Sequence, residues 1–179
     1  MELSSPHDDF PGPACELNNY FYYAVSQNVD GHWRCDLYKI NPEGQIINQK
    51  PFYPDDNYFV IHQLYPEKDS SFIVFSVHTV SPEDSVSLNV TCLDTELEIL
   101  WEKEHKLQVY GLSIKSLIKN ANNQYILACV GYDYNSYEGD PFLISIDPKG
   151  DIITTARLYI QGPDYVYDIT EKNMETSFH

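Results

Sequence analysis

The residues with the most obvious chemical potential are aromatics and carboxylates gathered in polar stretches. His32, Trp33, Asp55, Asp56, Tyr132, Asp133, Tyr134, Tyr137 and Asp164 all fall between apolar runs. Flat rings stack on the C–H faces of a sugar, and carboxylates accept its hydroxyl protons. The same set would dock a basic protein segment. The plainer alternative is that these stretches are polar only because they are solvated. Catalysis has less support. A hydrolase needs paired carboxylates or a Ser/His/Asp set with perturbed pKa values. The six histidines, His7, His32, His62, His78, His105 and His179, share no liganding spacing. His62 and His105 lie inside strand patterns, as hydrogen-bonded structural histidines do. Neither a Gly-rich phosphate loop nor a nucleophile elbow occurs. The run Asp133–Asp140 has oxygens at alternate places, as a calcium loop does. Glu138 stands where that loop needs Gly, and Ile144 occupies its twelfth position. The sequence therefore predicts no cofactor, with calcium the one metal the pattern would admit.

A repeat must position these residues. Ile40-Asn41-Pro42-Glu43-Gly44-Gln45-Ile46-Ile47, Leu93-Asp94-Thr95-Glu96-Leu97-Glu98-Ile99-Leu100 and Ile146-Asp147-Pro148-Lys149-Gly150-Asp151-Ile152-Ile153 are copies of one segment, each 53 residues from the next. Each is a strand end, an Asx-led turn and a new strand. The middle copy lacks both Pro and Gly, so a different or strained turn is expected there. Outward from the turns, Ser71–Ser76 and Gln124–Cys129 repeat at the same spacing, with a looser copy at Tyr20–Val25. Phe59–Leu64 and Leu112–Leu117 add one more strand before the last two. Four strands in about fifty residues is the unit of a β-propeller blade.

The expected fold is all-β: blades of four antiparallel strands, about three in the chain. Residues 1–18, rich in Pro and Asp, are expected to be an irregular lead-in, 19–171 the blades and 172–179 a tail. Strands are expected at 20–26, 35–40, 46–53, then 58–64, 71–78, 86–93, 99–106, then 110–118, 124–132, 141–146, 152–159. A last strand over Tyr165–Thr170 would open a further unit. On this count the first unit lacks its innermost strand. Either two copies close a six-blade ring as a homodimer, each lending the other its last strand, or the chain is a fragment of a longer propeller.

Composition narrows the partners. A net charge of −16 over 179 residues opposes binding to nucleic acid phosphates and to anionic membrane surfaces. Cys15, Cys35, Cys92 and Cys129 follow no CxxC spacing, so familiar zinc and redox motifs are not expected. No apolar run is long enough to span a bilayer, and no apolar secretory h-region follows Met1.

The third unit resembles the repeat of secreted bacterial β-propellers, especially those common in Bacteroidetes. The matching residues are Ser113-Ile114, the polar turn Asn120-Ala121-Asn122-Asn123, Tyr125-Ile126-Leu127-Ala128 and Phe142 through Ile152. Ile99-Leu100-Trp101-Glu102-Lys103 is similar to the outer strand of that repeat. The resemblance covers roughly residues 20–170. It implies a secreted, periplasmic or cell-surface setting, and such families mostly lack a shared active site. The middle turn departs from the Asp-x-x-Gly pattern. The sequence therefore points to a non-enzymatic binding or scaffold propeller, with a glycan or protein ligand on its loop face. The alternative is a hydrolase or lyase with its site in the central channel. Trp33 has no counterpart one repeat on, where Val86 and Gly139 stand, so one asymmetric site is expected rather than a pocket in every blade.

Overall fold

The computed structural model describes residues 8–29, 32–52, 58–79, 86–133, 136–157 and 169. Its strands are β1 (Asp8–Leu17), β2 (Tyr20–Val29), β3 (His32–Ile40), β4 (Ile46–Phe52), β5 (Tyr58–Glu67), β6 (Ser71–Thr79), β7 (Val86–Asp94), β8 (Ile99–Leu107), β9 (Gly111–Lys119), β10 (Tyr125–Asp133), β11 (Ser136–Ile146) and β12 (Ile152–Arg157). They form three antiparallel four-stranded sheets, β1-β2-β3-β4, β5-β6-β7-β8 and β9-β10-β11-β12, each a simple meander. The first strands β1, β5 and β9 neighbour one another in turn, so the sheets stand face to face like blades.

Over its described residues the lead-in is not irregular. Residues from Asp8 to Leu17 form β1, which supplies the innermost strand that the first unit was expected to lack. Two features hide this strand in the sequence. Pro11 and Pro13 break its alternation, but an edge strand tolerates proline, and the ladder slips between Pro11 and Ala14 to absorb them. Its turn is Asn18-Asn19, with φ of 55° and 62°, the doubly left-handed geometry that a two-residue hairpin favours. Because β1 fills the edge, no strand from a second copy is needed there. The expected closing strand at Tyr165–Thr170 lies outside the described residues except for Ile169, whose N–H donates to Ser116 Oγ at 3.4 Å.

All three repeated turns have one geometry. Asn41, Asp94 and Asp147 each accept, through the backbone carbonyl, the N–H three residues on, at 2.9–3.1 Å. Their side-chain oxygens accept from Gln45, Glu98 and Asp151 N–H at 2.8, 2.8 and 2.9 Å. The middle copy keeps the same turn by placing Leu97 at φ 68° where the others have Gly44 (80°) and Gly150 (87°). A left-handed leucine costs about 1–2 kcal/mol. Leu97 is 2% exposed in the core between the first two sheets, and that burial offsets the strain.

These turns also join the sheets. The second turn lies on the first sheet: Tyr22 Oη donates to Thr95 O at 3.0 Å, Asn48 Nδ2 to Glu96 O at 2.7 Å, and buried Lys39 reaches Glu96 at 2.6 Å. The third turn lies on the second sheet in the same way. His105 Nε2 donates to Gly150 O at 2.7 Å and Lys103 pairs with Asp151 at 3.0 Å. Trp101 lies against Gly150, where an added Cβ would come within 2.6 Å of the ring. His105 thus plays the structural part expected of it. At the same end of the sheets, on the strands β5, β9 and β10, Lys119 and Tyr125 Oη both bond to Glu67 and join the second sheet to the third.

The second sheet is buried on both faces, with β6 and β7 almost wholly enclosed. One core, toward the third sheet, holds Phe75, Leu88, Val90, Leu127 and Ile144. The other, toward the first sheet, holds Tyr22, Leu37, Phe59, Phe72 and Val74. A stack of three sheets would be expected to expose an apolar face at its ends. The far face of the first sheet is mixed: Phe21 is exposed on it, while Asp36, 4% exposed beside Val25, accepts from Tyr38 Oη at 3.4 Å and Gln49 Nε2 at 3.2 Å. Burial raises its pKa, and the neighbouring Arg34 guanidinium opposes that shift.

Candidate functional site

The expected ligand residues are spread over separate hairpins. His32 and Trp33 begin β3, opposite Val29 and Asn28. Tyr132 and Asp133 end β10, and Tyr137 lies in β11. These stretches are ladder almost to their tips rather than open loops, because the strands pair as far as Val29/His32 and Asp133/Ser136. They belong to the first and third sheets, with the second sheet between them. Asp55, Asp56, Tyr134 and Asp164 lie outside the described residues. Tyr132 has a packing role. Its cross-strand partners are Gly111 and Gly139, and an added Cβ would meet its ring at 3.3 Å and 2.9 Å respectively. The ring covers the space that the two glycines leave, which fixes it against the sheet.

A second set of polar side chains comes together where the sequence reading did not look. The β7 residues Val86, Leu88, Val90 and Cys92 face the third sheet and enter its apolar core. Alternation turns Ser87, Asn89 and Thr91 toward the first sheet, and all three are buried. On the adjoining strand β8, Glu102 and Glu104 stand opposite Thr91 and Asn89. Thr91 Oγ1 donates to Glu102 Oε1 at 3.2 Å and Ser87 Oγ to Glu104 Oε1 at 2.6 Å. His78 from β6 and Lys50, Pro51 and Phe52 from β4 complete a cleft of about 570 Å³ between the first two sheets. Phe59 and Phe52 form its apolar side, stacked 6.2 Å apart, and the His78 ring is 6.2 Å from Phe59. Burial lowers the His78 pKa, with Glu104 pulling it back up. The imidazole is therefore neutral at pH 7 and presents one donor and one acceptor.

The signal for this cleft was present in Val86-Ser87-Leu88-Asn89-Val90-Thr91-Cys92. A strand covered on both faces usually reads as a continuous apolar run, whereas this one alternates. The alternation signifies a polar row on a buried face only once both faces are known to be covered.

A groove of about 720 Å³ also runs between β1 and β5, where a channel site would sit, lined by residues 10–14, Ser26 and residues 60–63. His62 is the extra residue of a bulge in β5, and Lys115 holds the corresponding place in β9. Burial and the nearby Lys115 charge push the His62 pKa down to about 4. Among the described residues, no group of three or more His, Cys, Asp or Glu is arranged to hold a metal, and no helix is long and apolar enough to cross a membrane.

No protein-family model and no curated protein matches the chain. Among solved structures, the chain is similar to a crystal structure of an ACO/RPE65 chimera, at 12% identity and a TM-score of 0.49. The match covers 87% of this chain and 40% of that one, so the chain spans well under half of that protein's length.

Proposed function

We propose that the chain is an arc of three β-propeller blades acting as a non-enzymatic binding scaffold for a glycan or protein ligand. One observation carries this reading. The buried β6 and β7 side chains that face the third sheet are apolar, whereas those that face the first sheet include Ser76, Ser87, Asn89 and Thr91, and Asn89 with His78, Glu102, Glu104 and Lys50 lines an open cleft there. Ser87 and Thr91 are paired with Glu104 and Glu102, but Ser76 has no partner among the described residues; because a buried polar side chain costs stability unless paired, this polar face on an open cleft favours a ligand over packing alone. The ligand surface is then the cleft rather than the hairpin tips.

The test is a binding titration against saccharides and against basic peptides, with the products checked for turnover. Saturable binding with the ligand recovered intact supports the scaffold. Cleavage of the ligand would move the reading to a hydrolase or lyase. Further blades, from a second copy or from a longer chain, would close the arc into a ring. Light scattering tests the first source, since paired half-rings have twice the mass of the 20.7 kDa chain.

A further inference from the structure

We infer that the cleft between the first and second sheets is a subsite for a neutral saccharide; this rests on the scaffold reading above. Its donors and acceptors are mixed. Lys50 donates, Glu102 and Glu104 accept, and Asn89 and the neutral His78 do both. An anion would face two carboxylates, and a cation would face Lys50. A polyol satisfies the whole set, because each sugar hydroxyl donates and accepts. Phe52, beside the polar row, offers the apolar patch that the C–H face of a pyranose covers.

An unpaired group points to the same place. Ser76 is 0% exposed, and its Oγ has no hydrogen-bond partner among the described residues. It shares a strand face with Phe72 and Val74, which enter the core toward the first sheet, and with His78, which lines the cleft. Buried hydroxyls are almost always paired, and an orphan calls for an explanation. Asn89 stands directly across the ladder from Ser76 and lines the cleft. A ligand hydroxyl held by Asn89 is thus one side chain away from the orphan. The opposite face of β6 and β7, which enters the apolar core toward the third sheet, has no such unpaired group among the described residues.

The experiment is calorimetric or NMR titration of the whole chain with glucose, galactose, mannose, xylose, N-acetylglucosamine and their β-linked dimers. At least one is expected to bind saturably. Asn89→Ala and Glu104→Gln should each weaken that binding about tenfold, the loss expected for one hydrogen bond to a charged or fixed polar group. Trp33→Ala, at a hairpin tip, should leave it unchanged. Ser76→Ala should raise Tm by about 2–4 °C by deleting the orphan, and it remains informative if Glu104→Gln unfolds. Sugar binding that survives the cleft variants but fails in Trp33→Ala would overturn this inference and return the ligand to the hairpins. Binding of a lysine-rich peptide where no sugar binds would remove the saccharide and leave the scaffold standing. Binding of neither would remove both.

Discussion

Gly44 and Gly150 occupy the same place in two copies of one turn, and that equivalence makes a controlled experiment. Both have positive φ, 80° and 87°. Alanine at either site pays the left-handed cost of about 1–2 kcal/mol, partly offset by about 0.4–1 kcal/mol from a stiffer unfolded chain. The surroundings differ. Nothing lies within 4 Å of a Cβ built on Gly44, whereas one on Gly150 meets Trp101 at 2.6 Å and Lys103 at 3.1 Å. Forcing a methyl into that contact adds about 1–3 kcal/mol. Gly44→Ala should therefore cost about 1 kcal/mol, and Gly150→Ala about 2–4 kcal/mol. For a chain of this size each kcal/mol lowers Tm by about 2–4 °C. Urea midpoints and thermal scans of the two variants read the difference directly. It isolates the docking of the third turn on the second sheet, because the turn itself is common to both. Equal losses would refute that docking and, with it, the stacking of the sheets through their turns. Leu97→Gly gives the third point of the series. It relieves backbone strain but empties a buried site, where loss of a leucine side chain costs about 2–5 kcal/mol, so the net effect should be destabilising.

Three further outcomes follow from particular contacts. Gly139→Ala should destabilise by about 1–3 kcal/mol, because its methyl would run into Val130 and the Tyr132 ring; an unchanged urea midpoint would mean that the ring does not cover the glycine. His62 titrates near 4 in the folded chain and near 6.5 unfolded, so the unfolded state holds more protons between those values. The stability contributed by neutral His62 is complete above about pH 6.5 and lost as pH falls through about 4. His62→Gln should accordingly flatten the fall in urea midpoint between about pH 6.5 and pH 4, and Lys115→Met should weaken it; identical slopes in all three proteins would contradict the placement of His62. Burial pushes the Cys35 thiol up to about 11 and those of Cys15 and Cys129 up to about 12. Since the thiolate is the nucleophile, iodoacetamide at pH 8 should label these three far more slowly in the native protein than in urea, and equal rates would contradict their burial.

The local features were legible in the sequence because their causes are local. Asn41, Asp94 and Asp147 predict turns, since an Asx side chain bonds a backbone N–H four residues away, and the 53-residue interval then counts the sheets. The middle turn was expected to differ, because a leucine at positive φ is locally unfavourable; only the core behind Leu97 explains why it does not. β1 was hidden for a related reason. Prolines disqualify a central strand but not an edge strand, and which strand lies at an edge is a property of the assembled sheet. The cleft was the least visible feature. Ser76, Asn89 and Glu104 are cross-strand partners on one face of the second sheet, with His78 beside them, and that row becomes a cleft only once the first sheet covers it. Pattern along the chain specifies which residues share a face. What that face meets, water or apolar core or an enclosed polar gap, depends on contacts between residues distant in sequence, and those exist only once the sheets stack.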